Sequence, residues 1–162
     1  MSKESILKTI KDEEVAYVDL RFSDPRGKVH HVTVIADEVD EDFLDEGFMF
    51  DGSSINGWKG IEASDMNMEI DLDSGYIDPF FAEKTLALHC SIREPDTGEP
   101  YERDPRGTAE KAEAYLKSSG IGDMAFFGPE AEFFLFDDVR FSASINKVSY
   151  EVDAQDGSWN TD

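Results

Sequence analysis

The sequence predicts an α+β fold, and three observations predict it. Short segments with alternating apolar residues crowd roughly the first 100 positions, two short helical patterns lie among them, and the clearest helix comes only afterwards. Residues 3–12 place Ile6, Leu7 and Ile10 on one helical face, with Ser2 as N-cap. Residues 15–22 alternate as a strand whose apolar face is Ala16, Val18, Leu20 and Phe22. Asp24-Pro25-Arg26-Gly27 is a turn, because proline presets φ and glycine accepts positive φ. Residues 28–35 therefore return as the second strand of a hairpin, where His30 and His31 point to opposite faces and cannot chelate one ion together.

Residues 37–46 read as a short acidic helix with Val39, Phe43 and Leu44 inward and Gly47 at its end. An apolar strand, Phe48-Met49-Phe50, then runs into the glycine- and serine-rich loop Asp51-Gly52-Ser53-Ser54. Further strands are expected at 66–72 and 85–93. The breaker-rich stretch 94–100 precedes a domain boundary, giving domains 1–103 and 104–162. Asp104-Pro105 opens the best-capped helix, with Gly120 beyond its end and Ala109, Ala112, Tyr115 and Leu116 as the expected buried stripe. A strand over 124–136 and a polar, irregular tail over 142–162 complete the reading.

Composition limits function. With 40% hydrophobic residues, 12 Phe, 5 Tyr and 2 Trp, this chain of 162 residues has enough apolar area for a core. A net charge of −22 repels nucleic acid and anionic lipid, so neither is an expected partner. The acidic excess fits a solvated surface, or binding of cations or a basic partner. The single cysteine, Cys90, lies in an apolar strand and reads as a buried, inert thiol. No apolar stretch approaches the ~20 residues of a membrane span, so the expectation is a soluble, cytoplasmic protein.

Two segments carry chemistry. Glu130 and Glu132, in Phe127-Gly128-Pro129-Glu130-Ala131-Glu132-Phe133-Phe134, would project from one face of a strand about 6.7 Å apart. Two like charges in an apolar strand call for a counter-charge, and carboxylate oxygens suit Mg²⁺ or Mn²⁺. Two ions about 3.5–4 Å apart suit phosphoryl chemistry. The alternative is an edge strand whose glutamates face water. Asp51 and Ser54 form the second candidate, a carboxylate and hydroxyl in a loop at a strand end, and plain turn chemistry is its alternative. A Walker loop is excluded, since Trp58 stands where its lysine belongs, and a nucleophile elbow is excluded by Asn56.

In order and spacing, several segments together resemble bacterial dodecameric-type glutamine synthetases. They include Val18-Asp19-Leu20-Arg21-Phe22, Phe50-Asp51-Gly52-Ser53-Ser54-Ile55, Gly57-Trp58-Lys59-Gly60-Ile61, Ile77-Asp78-Pro79-Phe80-Phe81, Arg103-Asp104-Pro105-Arg106, and Phe127-Gly128-Pro129-Glu130 leading to Glu132-Phe133-Phe134-Leu135-Phe136-Asp137. The resemblance implies a β-grasp N-terminal domain followed by the opening of a catalytic domain. It implies a ligase that makes glutamine from glutamate, ammonia and ATP through γ-glutamyl phosphate. Glu130 and Glu132 match ligands of two divalent metal ions, Mg²⁺ or Mn²⁺. Asp51 matches the residue that binds ammonium and removes its proton, and Ser54 shares its loop.

In that family the loop serves the neighbouring subunit of a homo-oligomer, and Trp58 packs at the same junction. The family's remaining metal ligands, substrate-binding arginines and most of its nucleotide pocket lie beyond position 162, so the segment by itself is expected to be inactive. Two other readings stay open at this point. One is a short interaction module that docks on synthetase rings, and the other is a relative that joins glutamate to polyamines.

Overall fold

The computed structural model describes residues 2–160, which divide into two compact units on either side of the bond between Ala125 and Phe126. Ser2 starts the first helix as its sequence predicts: its hydroxyl accepts the Ser5 N–H at 3.2 Å, and α1 runs Lys3–Asp12 with Ile6 fully buried. Strands β1 (Tyr17–Ser23) and β2 (Val29–Ile35) form the expected antiparallel hairpin. Its turn is held by Asp24, whose Oδ1 accepts the backbone N–H of Arg26 at 2.8 Å and of Lys28 at 3.0 Å, with Gly27 at φ 80°.

The acidic helix is shorter than its pattern predicts. A 3-10 turn occupies Ala36–Glu38, Val39 is extended, and α2 covers only Glu41–Glu46. Asp40 causes the break, because its carboxylate accepts the Phe43 N–H at 2.8 Å and so caps a new helix. Gly47 follows at φ 77°, so close to the backbone of Met68 that an added Cβ would stand 2.2 Å from its carbonyl oxygen.

Four more strands complete the sheet: β3 (Phe48–Asp51), β4 (Asp65–Ile70), β5 (Tyr76–Asp78) and β6 (Thr85–Arg93). The order is β2-β1-β6-β4-β3, with β5 also on β6. β6 pairs parallel with β1 through residues 85–89, and antiparallel with β5 and then β4 along its other edge. Seven of its nine residues are buried, and all seven are apolar or small, with only His89 and Arg93 partly exposed. One sheet face closes on α1 with Val18, Leu20, Met66, Met68, Leu88 and Ile92, all fully buried. Sequence reading missed β5, a three-residue strand too short to show alternation.

Helix α3 spans Pro105–Ser119, with Asp104 at its N-cap and Gly120 at φ 70° after its end. Its expected buried stripe is not buried: Ala109, Ala112 and Tyr115 are exposed and Leu116 is half-covered. Only its first turns anchor it. Asp104 Oδ2 accepts the Ile92 N–H of β6 at 2.9 Å and the Gly107 N–H at 3.2 Å, while Ser91 Oγ donates to Glu110 at 2.8 Å.

The second unit departs further. Residues 124–136 form no strand, because among the described residues they have no ladder partner. The supposedly irregular tail instead contains the antiparallel hairpin β7 (Asp138–Ser144) and β8 (Lys147–Asp153). Asp153 Oδ1 ties that hairpin to its own continuation by accepting Trp159 Nε1–H at 3.0 Å and Asn160 Nδ2–H at 2.6 Å.

Candidate functional site

Phe50, next to last in β3, turns into the aromatic cluster, and this aims the final residue, Asp51, outward. Gly52–Ser54 then makes one 3-10 turn. Gly52 is required by close approach: a Cβ there would lie 2.2 Å from Met66 Sδ and 3.1 Å from the Ser64 carbonyl oxygen. Its N–H donates to that same carbonyl at 2.7 Å, pinning the loop to the residue just before β4. Trp58 lies beneath the loop at 7% exposure, 5.4 Å from Phe22 and 5.2 Å from Tyr101 between ring centroids. Packing is therefore its role within this unit.

Asp51 is exposed but not loose. Its Oδ1 accepts the Ser53 N–H at 2.8 Å and the Ser53 hydroxyl at 2.6 Å. The Ser53 hydroxyl, followed by the Ser53 N–H, lowers the Asp51 carboxyl below its ordinary value, so it is an anion at neutral pH. Asp51 and Ser54 line one open groove of about 490 Å³, together with Lys28 of the hairpin turn and His30 and His31 of β2. His30 is fixed there, with Nε2 3.0 Å from Asp24 Oδ2 and its ring stacked on Phe22 at 5.4 Å. An anionic carboxylate in a groove with an apolar floor can hold a small cation or an amine.

Glu130 and Glu132 belong to the second unit, where both are exposed in the unpaired segment rather than on a strand face. Among the described residues, no group of three or more His, Cys, Asp and Glu side chains is gathered to hold a metal ion. Carboxylate oxygens fit Mg²⁺ or Mn²⁺ in kind, but two of them are only part of a six-oxygen shell.

Sequence reading passed over the buried network behind the hairpin. Asp19 is 1% exposed, accepts the Thr33 hydroxyl at 2.6 Å and the Arg21 Nε–H at 2.7 Å, and lies 2.7 Å from His31 Nδ1. The signal was present, because Asp19 and Arg21 alternate with the core residues of β1 and Thr33 is the cross-strand partner of Asp19.

A six-stranded mixed sheet carrying a capped helix along one face, with a loop that presents a carboxylate, defines the class as a β-grasp domain leading into a further domain. The glutamine synthetase β-grasp domain family matches residues 14–95, and the glutamine synthetase catalytic domain family matches residues 102–162. The chain belongs to the glutamine synthetase family. It is 69% identical over 156 residues to the glutamine synthetase of Cereibacter sphaeroides, covering 96% of this chain and 33% of that protein. Against the glutamine synthetase of Rhodobacter capsulatus it is 66% identical, covering 96% of this chain and 35% of the relative. Its fold superposes on Plasmodium falciparum glutamine synthetase with a TM-score of 0.73 at 23% identity, covering 96% of this chain and 30% of that one. The chain thus spans about a third of the length of the curated relatives it matches.

Proposed function

We propose that this chain is the N-terminal part of a glutamate–ammonia ligase that forms glutamine through γ-glutamyl phosphate at the expense of ATP. The observation that carries the reading is the Asp51 loop: an ionised carboxylate, clamped by Ser53 and raised on a turn that packs on Met66, at the lip of an open groove. Such a group attracts ammonium, and as the amine attacks, the carboxylate accepts its proton. Ser54, beside it in the groove, offers a hydroxyl to the same amine. The outward display of Asp51 supports its service to a neighbouring copy in a homo-oligomer.

Glu130 and Glu132 would each give a carboxylate to a divalent ion, Mg²⁺ or Mn²⁺, with the rest of each shell from water, nucleotide phosphates and side chains outside the described residues. Such ions, when bound, offset the charge of the transferred phosphoryl group. The domains on this reading are 1–103 and 104–162, and the 162 residues alone do not turn over substrate.

The test is a set of single variants of the full-length protein. Asp51→Asn should raise the KM for ammonia and lower kcat, and Glu130→Gln and Glu132→Gln should each weaken Mg²⁺ binding measured by calorimetry. Wild-type ammonia kinetics in the first and wild-type Mg²⁺ affinity in the other two would overturn the reading.

A further inference from the structure

The pair of hydrogen bonds that Ser53 makes to Asp51 separates two tasks that a carboxylate facing ammonium can perform. One is capture of the cation, which needs the carboxylate charged and held in place. The other is removal of the proton, in which an N–H bond breaks, an O–H bond forms on the carboxylate, and the nitrogen keeps the electron pair. Donors that favour the charged form help the first task and weaken the second.

Both donors from Ser53, the N–H at 2.8 Å and the hydroxyl at 2.6 Å, end on Oδ1 and leave Oδ2 unused by that residue. Gly52, between the two, cannot drift, because its N–H is bound to the Ser64 carbonyl and its Cα abuts Met66. We propose that Ser53 is the positioning residue of this site: it fixes Asp51 through Oδ1, offers Oδ2 to the cation, and so governs capture of ammonium more than the chemical step. This inference rests on the reading of Asp51 given above, and it adds a residue that does not itself touch the amine.

The other charged or titratable groups near Asp51 are Lys28, His30 and His31 across the groove and Asp65, its cross-strand partner on β4. The Ser64 hydroxyl also favours the anion.

Two measurements test the proposal independently. In the 162-residue chain, NMR titration of the Asp51 carboxyl should show Ser53→Ala moving it upward toward the ordinary value of 3.8, and Ser53→Thr returning it. In the full-length protein, Ser53→Ala should raise the KM for ammonium about tenfold with kcat within about twofold, and Ser53→Thr should restore it. An unmoved Asp51 titration in a folded Ser53→Ala chain overturns the positioning role whatever the enzyme does. A loss confined to kcat overturns the assignment to capture. If Asp51→Asn keeps wild-type ammonia kinetics, the underlying site reading is the part that fails, and the titration result still stands by itself.

Discussion

Arg21 of β1 donates through Nη2 to Asp78 of β5 at 2.6 Å while its Nε holds Asp19 at 2.7 Å, so one guanidinium joins two carboxylates that are 8% and 1% exposed. The Tyr76 and Phe81 rings flank the same guanidinium, each 5.8 Å from it. This is the polar counterpart of the core on the other face of β1. Replacing Arg21 with methionine leaves both acids without their cation. The expected cost is about 3 kcal/mol of unfolding free energy, read by urea denaturation. A loss below about 1 kcal/mol would show that the pair merely decorates the surface.

The same network sets an acid limit. Burial pushes the Asp19 carboxyl up, but hydrogen bonds from Thr33, His31 and Arg21 outweigh it and leave the value below the ordinary 3.8. A depressed carboxyl contributes stability above the unfolded-state value and loses it as pH falls through the lower folded-state value. Stability should therefore decline as pH falls below about 4. Thr33→Val should lower stability at neutral pH by roughly 1.5 kcal/mol and flatten the acid limb, measured as denaturation midpoints across pH.

At Gly52 the prediction is steric. Gly52→Ala drives a methyl group into Met66 Sδ and toward the Ser64 carbonyl. We expect a loss of about 2 kcal/mol and displacement of the Asp51 turn, seen as amide shifts confined to the loop and β4. A thermal midpoint equal to that of the parent would contradict the packing described.

Cys90 should be silent to thiol reagents. It is fully buried in β6, and burial pushes its thiol up to about 12, so thiolate is scarce at neutral pH. Modification by a disulfide reagent should follow global unfolding, and fast labelling of the folded chain would refute it.

Finally, the second unit exposes Phe126 and Phe127 at 90% each and Phe134 at 86%. Exposed aromatic surface on an unpaired segment favours self-association and protease access. Limited proteolysis should cut within 121–137 before it cuts β6, and sedimentation should show concentration-dependent association. Equal resistance of both regions would count against this.

Single residues show how far the sequence could be read. Ser2, Asp104 and Gly120 announced helix ends because capping is local chemistry between residues two or three positions apart. Likewise, Asp24-Pro25-Arg26-Gly27 announced the hairpin because its turn is closed by its own side chain. By contrast, the stripe on α3 and the alternation over 124–136 describe surfaces that need a partner, and neither pattern carries information about whether that partner is present. The loop residues Asp51 and Ser54 were picked out by residue type and resemblance, whereas the clamp from Ser53 emerged only from geometry.

The amino-acid order alone determined the family, the strand-rich first unit, its turns and caps and the position of the Asp51 loop, since each depends on neighbours a few residues apart or on a matched motif. Tertiary structure decided that Asp19 is a buried hub, that β5 joins β6, and that 124–136 remains unpaired. Those outcomes depend on which distant segments meet, and hydrogen-bond partners and burial exist only once they have met.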